Sequence, residues 1–340
     1  MSPPYTYLDL VNQVDSFPNA ILHPVRHAER LTALKLFTSG SHTLGYMHDP
    51  IFEVLKTTAA HERSEKGYDH WVITANTVSI KGESVEERSR NIKKTLDHWR
   101  EMKTFEVCSG KGWRNELYPV YSPNGELFLE MERSAACLFG VVQYGVHMTV
   151  YVPGATTDDM RIWTPTRHAT KSTYPGMLDN TVAGGISSGM TAWDTLVKEG
   201  HEEAYLEESL INEKAKCVGS VSYFYERDAN AGGESGLLQP EVQYVYDMAV
   251  GENEVVPKPN DMEVENFVLM PLAEVKKNLE EGKFKPNCAF VLIDFFVRHN
   301  IITPETEADY IEICSRLHRA LEFPLCRSPA AKKHVHAHHV

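Results

Sequence analysis

The chain has 340 residues, a formal net charge of -13 and 42% apolar residues, enough for two packed units of ordinary globular composition. That balance excludes a disordered, collagenous or coiled-coil chain. It also argues against general affinity for nucleic acid or membrane, which need clustered positive charge. Six cysteines (Cys108, Cys137, Cys217, Cys288, Cys314 and Cys326) contain no Cys-x-x-Cys pair and read as reduced thiols. The opening Met1-Ser2-Pro3-Pro4-Tyr5 lacks a basic region followed by an apolar stretch, so a cytoplasmic location is expected.

In chain order, the first clear element is a helix over 84–102. Ser84 and Glu87 form a capping box, and Val85, Ile92, Leu96 and Trp99 recur at helical spacing. Tyr121-Ser122-Pro123-Asn124-Gly125 is turn-forming and is taken as a domain boundary. Strand-like runs rich in Val, Tyr and Phe follow at 138–144, 147–152, 218–227 and 242–250, with a glycine-rich hairpin loop at 229–235. The longest apolar runs are interrupted by Gln143, Gly145 and His147 or by Asp294, so neither spans a membrane. Toward the end, Thr303 caps a helix beginning at Pro304, with Tyr310, Cys314, Leu317 and Leu321 as its buried stripe. His334, His336, His338 and His339 stripe the last residues, which are expected to lack order.

The informative stretch is Ala183-Gly184-Gly185-Ile186-Ser187-Ser188-Gly189, followed by a helix over 191–206. Residues turn by about 100° each in a helix. Trp193, Leu196, Val197, Gly200 and Ala204 therefore share one face, and Glu199, Glu202 and Glu203 share the opposite one. Three like charges together repel, and hard divalent cations that favour carboxylate oxygen relieve that repulsion. A Mg²⁺ or Mn²⁺ site explains the cluster more economically than a solvated surface. Lys198 beside Glu202 reads as a structural ion pair. Ser187 and Ser188 lie in a turn without the context of a nucleophile, and His147 and His201 read as structural or surface residues.

This stretch resembles the Nudix box. Counting from Gly184, Lys198 falls on its Arg position, Glu199, Glu202 and Glu203 on its acidic positions, and Leu206 on its final apolar position. Met190, Gly200 and Tyr205 depart from it, standing where the pattern has Glu, an apolar residue and Gly. Trp113-Arg114-Asn115-Glu116, the run from Lys171 to Asn180 and Phe284-Lys285-Pro286-Asn287 extend the resemblance to a fungal and plant subfamily. Members have an extra N-terminal domain, and some are fused to thiamine pyrophosphokinase. The resemblance implies an α/β fold, a Nudix α/β/α sandwich with a mixed sheet, preceded by a smaller α+β domain. Residues 1–125 would form that domain, 126–323 the Nudix domain and 324–340 a His-rich tail.

It further implies a small-molecule diphosphatase dependent on Mg²⁺ or Mn²⁺. Glu199, Glu202, Glu203 and Gly184 would serve the metal, and Glu199 and Glu203 the catalysis. The expected reaction is attack of metal-activated water on one phosphorus, with Glu199 assisting proton removal. Thiamine diphosphate, and preferably its oxidised analogues, would be cleaved to the monophosphate. Glu263 or Glu265 could complete the metal site, since alternation makes both face the same way. Arg167 and Lys171 could bind the diphosphate, and Trp163 or Tyr144 the flat head. A homodimer is compatible with this reading. Two alternatives stay open: a Nudix hydrolase of another, nucleoside-type diphosphate, and a non-catalytic diphosphate sensor.

Overall fold

The structure, a computed structural model, describes residues 4–327; the histidine stripe lies outside the described residues. Twelve strands are described: β1 (Leu34–Ser39), β2 (His42–His48), β3 (Trp71–Ile73), β4 (Thr77–Ile80), β5 (Leu117–Tyr121), β6 (Leu127–Glu132), β7 (Gln143–Val152), β8 (Arg161–Arg167), β9 (Val182–Gly185), β10 (Ala215–Glu226), β11 (Leu238–Ala249) and β12 (Val264–Pro271). The helices among the described residues are α1 (Tyr7–Val14), α2 (Pro24–Thr32), α3 (Asp49–Lys66), α4 (Val85–Met102), α5 (Ala136–Phe139), α6 (Ala192–Ala204), α7 (Glu208–Lys214), α8 (Leu272–Glu280), α9 (Pro286–Arg298) and α10 (Tyr310–Leu317). No described helix is long and apolar enough to cross a membrane.

The N-terminal part is α+β, with a four-stranded sheet ordered β2-β1-β4-β3. Its core joins Phe37, Phe52, Leu55, Ile92, Leu96 and Trp99, so α3 and α4 pack with that sheet. Ser84 caps α4 by accepting from the Glu87 amide, as its sequence implies, but Glu87 answers to Glu83 rather than to Ser84. Tyr121 to Gly125 is the turn of the β5–β6 hairpin, with Gly125 at positive φ, and the same core continues past it to Val141.

The larger sheet runs β10-β11-β7-β8-β12, with β9 added against β7. Strand β7 is its centre. β11 lies parallel along one edge, while the other edge is shared between β9 at residues 145–148 and β8 at 151–152. Nine of its ten residues are buried, as expected of a strand covered on both faces. Even-numbered residues of β7 and β11 (Val146, Met148, Val242, Tyr246) pack with Leu196, Leu206 and Ile211 around α6 and α7. On the opposite face, Val221, Tyr223 and Val245 meet Phe290 and Ile293 of α9, with α1 and α8 in the same layer. This is the α/β/α sandwich with a mixed sheet that the sequence predicts.

Two expected elements differ. The stretch 138–144 is not one strand: 136–139 form a helical turn that ends at Gly140, which has φ +58. A Cβ at Gly140 would lie 2.2 Å from the Tyr46 carbonyl oxygen, so β2 crosses too close for a straight strand with side chains. Thr303 closes a separate turn with Thr306, and the last helix starts only at Tyr310, burying Ile313, Arg316 and Leu317. Arg316 faces inward because a buried acid waits there.

That acid is Asp15, at the end of α1. It accepts from Arg316 Nε at 3.0 Å and Arg319 Nη1 at 2.9 Å, and all three residues are buried. Arg319 also donates to the Phe17 carbonyl at 2.6 Å, so this network ties the first helix to the end of the chain. Removing one partner of a buried ionic cluster strands the others and costs about 3 kcal/mol or more. Asp15→Ala should therefore lower unfolding free energy by about that amount, read from urea denaturation. A loss below about 1 kcal/mol would show that the arginines find water instead.

Candidate active site

Strand β9 places Gly184 opposite Val146 and Gly185 opposite Gly145. The chain then turns through Ser187 and Ser188 to Thr191, whose hydroxyl accepts from the Asp194 amide at 3.0 Å and caps α6. Leu196 and Ala204 of α6 are fully buried. A Cβ at Gly200 would stand 2.6 Å from Ile211 Cδ1, so Ile211 fills the space that the apolar residue of the box would occupy.

The acids are seated unequally. A side chain at Gly184 would fall 2.2 Å from Glu199 Cγ, so only glycine admits Glu199 against the strand. Glu203 is buried and accepts from the Ala183 amide at 3.0 Å. Glu202 stays exposed and pairs with Lys198 at 2.8 Å, as expected; Lys198 also reaches Glu199 at 2.9 Å. The single open acidic face is thus corrected. Glu203 belongs to the packed side, because its carboxylate satisfies a strand-edge N–H.

Burial pushes the Glu199 carboxyl up, with Glu202 and Glu263 adding to it against Lys198. Glu203 is pushed well above the usual carboxylate range, by burial first and then by Asp179, Glu199 and Glu263. Among the described residues no three such side chains are already drawn together around a metal position. Lysines act as the counter-ions instead: Lys198 on Glu199 and Glu202, and Lys171 on Glu263. The donor set still fits a hard divalent ion. It is all carboxylate oxygen, held in a glycine cradle, with two acids whose raised protonation a cation would reverse.

Glu263 and Glu265 do not face the same way, because a bulge between Val264 and Asn266 breaks the alternation of β12. Glu263 reaches the cluster, raising both Glu199 and Glu203; Glu265 is exposed and joins neither. Arg167 is not available to a substrate. It is buried on Asp179 at 2.6 Å and donates to the Thr173 and Tyr174 carbonyls, holding the loop before β9. Lys171 is committed to Glu263. Trp163 is 7% exposed within the core beside Leu196 and offers no stacking surface.

Beside the acids lies a cavity of about 430 Å³, and Tyr144 lines it. Arg114, Arg133, Arg227 and Lys285 face the same space. None of these four is among the residues that the sequence marks as ligands. They come from separate segments, and only the matched stretches around Arg114 and Lys285 hinted at them. Buried Glu241 lies in the cavity lining and accepts from Gln243 at 2.6 Å. His147 lines it too, bonded to Asn180 at 2.7 Å, and burial pushes its pKa down to about 4, leaving it neutral and structural.

A model described as the NUDIX domain matches residues 145–289, and a domain of unknown function, DUF4743, matches residues 10–143. Nudix hydrolase 20, chloroplastic, of Arabidopsis thaliana is 34% identical over 304 residues, covering 86% of this chain and 75% of that protein. The chain belongs to the Nudix hydrolase family. An uncharacterized Saccharomyces cerevisiae protein is 44% identical over 218 residues, 63% of either chain. Nudix hydrolase 24, chloroplastic, of A. thaliana is 38% identical over 209 residues, 61% of this chain and 54% of that one. The matched part thus spans less than two thirds of two of these relatives. Both plant relatives are chloroplastic by name, which overturns the cytoplasmic expectation: the first five residues do not report a compartment.

The Nudix signature also accounts for a strained residue. Tyr205 stands on its second glycine and caps α6 in the left-handed region at φ +54, with its side chain 52% exposed. Tyr205→Gly should raise stability by about 0.5 to 1 kcal/mol, the strain outweighing glycine's freedom when unfolded; a loss on urea denaturation would show that the ring contact with His201 matters more.

For Glu203 the folded state holds its proton more tightly than the unfolded chain does. Stability is therefore full below the unfolded value, about 4.3, and is lost as pH rises through the folded one. Without metal, Glu203→Gln should melt above the native chain at pH 7, and the gap should close as pH falls toward about 4.3. A gap that widens on acidification would contradict the buried-acid assignment.

Proposed function

We propose that this Nudix chain hydrolyses the diphosphate linkage of a small molecule at the junction of α6, β9 and the arginine-lined cavity. One observation carries the reading: Glu203 is buried and Glu199 half-buried, its side chain 16% exposed, against a glycine strand beside a cavity whose charged walls are largely cationic. Burying two acids is costly without a cation, and gathering arginines is costly without an anion. A metal diphosphate supplies both. Glu199 and Glu203 would hold a divalent ion such as Mg²⁺ or Mn²⁺, joined by Glu202 and Glu263 once Lys198 and Lys171 release them, and Gly184 leaves the room. Such an ion lowers the pKa of the attacking water and neutralises phosphate oxygens. Glu199, beside that ion and deprotonated by it, would take the proton from the water.

For the substrate we infer thiamine diphosphate or an oxidised analogue. The cations on the cavity wall suit the tail, whereas Tyr118, Tyr144 and Tyr174 line it with only 4–6% of their surface exposed, so the flat heteroaromatic head rests on the resemblance. The resemblance implies a preference for oxidised analogues, but Glu241 is a carboxylate in the cavity lining, so nothing there disfavours the cationic parent.

Chromatographic separation of the phosphomonoester products from thiamine diphosphate, its oxidised analogues, ADP-ribose and nucleoside diphosphates tests the reading. Turnover should vanish in excess EDTA and return with Mg²⁺ or Mn²⁺, and Glu203→Gln should lower kcat by several orders of magnitude with the fold intact. The thiamine compounds should show the highest kcat/KM. Full activity in EDTA would sink the metal site; preference for ADP-ribose would sink only the substrate.

A further inference from the structure

The turn that leads into α6 is held by the N-terminal domain. The Leu117 carbonyl accepts from the Ser188 amide at 2.7 Å, Glu130 accepts from the Ser188 hydroxyl at 2.6 Å, and Glu116 accepts from the Ser187 hydroxyl. The two serines thus serve as latches between the β5–β6 hairpin and the box. Gly185 completes the fit, since a Cβ there would meet the Tyr118 hydroxyl at 1.7 Å and Arg133 Cζ at 3.2 Å. Gly184 turns its missing side chain to Glu199, and Gly185 turns its own to Tyr118 and Arg133. Only a bare two-glycine backbone lies between the acidic helix and the arginine.

Arg133 is positioned, yet not saturated. One terminal nitrogen donates to Glu116 at 2.7 Å and the guanidinium sits 5.1 Å from the Tyr118 ring centre, but the side chain remains 39% exposed on the cavity wall. Among the described residues its Nε and second terminal nitrogen have no hydrogen-bond partner. Arg114 lines the same wall and spends one nitrogen on the Ser172 hydroxyl at 2.8 Å. Burial, Arg133 and Arg227 all disfavour its charge. Arginines gathered around a cavity, with donor nitrogens to spare, suit a multiply charged oxyanion.

We propose that the N-terminal domain is a working wall of the active site, in which Arg133, with Arg114 beside it, grips a phosphate of the substrate across the Gly184-Gly185 backbone from Glu199. This rests on the diphosphatase reading for the identity of the anion. It makes the 10–143 segment a substrate-binding part of the enzyme rather than an appendage.

The test uses the native full chain, with Mg²⁺ and methylenediphosphonate, a diphosphate mimic whose bridging carbon resists hydrolysis, as the probe in calorimetry. Adding Arg133→Met should weaken binding by about ten- to hundredfold, the worth of a charge-assisted hydrogen bond. Arg133→Lys, which keeps charge but loses the fork, should recover part of it. Arg114→Met, which gives up only the Ser172 contact, should weaken binding with the melting temperature unchanged, so the question stays open to test if Arg133→Met folds poorly. Binding unchanged in the Arg133 and Arg114 variants, or absent in the parent, overturns the proposal. If the variants weaken binding while the native chain cleaves none of the diphosphates, the wall stands and the diphosphatase reading falls. Intact turnover with unchanged binding does the reverse.

Discussion

The fit between α6 and the glycine strand β9 is the constraint on which the site depends. Glu203 anchors the helix through the Ala183 amide, and Glu199 lies where any side chain at Gly184 would stand. Glu203 is drawn under the protein and Glu199 is half-covered, and the charge of both is disfavoured there. A cation is what makes such an arrangement favourable. Helix packing and acidity are therefore coupled: the contacts that position the helix also set the protonation of its acids.

Charge around this point is organised in complementary pairs. Lys198 and Lys171 neutralise the outer acids, while Asp179, held well below its usual range by Lys285 and Arg167 although burial opposes this, fixes the loop before β9. Arg167 is consumed in that support, and the free guanidinium surface is left to Arg114 and Arg133 across the cavity. Whether a basic residue binds substrate here depends on how many of its donors the fold has already used.

Among the several contacts that join the N-terminal domain to the larger sheet are two built on charged or polar side chains with specific partners. The β5–β6 hairpin latches the box turn, and Asp15 after α1 gathers Arg316 and Arg319 from the far end of the chain. Both attachments bury charged or polar groups with specific partners, which favours one arrangement over others.

Local chemistry made much of this legible from the residues alone. The helical spacing and cap of α4, the glycine turn, the amphipathic helix bearing Glu199, Glu202 and Glu203, and the β10–β11 hairpin all follow from propensities acting within a dozen residues. What the tertiary structure decided are the contacts whose partners lie far apart. It placed Glu203 inside rather than outside, used up Arg167 on Asp179, sank Trp163 into the core and parted Glu263 from Glu265 through a bulge. It also brought Arg133 to Gly185 and Arg114 to the same cavity wall. Periodicity assigns a side chain to a face of its own element, but burial and hydrogen-bond saturation are properties of the neighbours, and those are chosen only when the chain closes on itself.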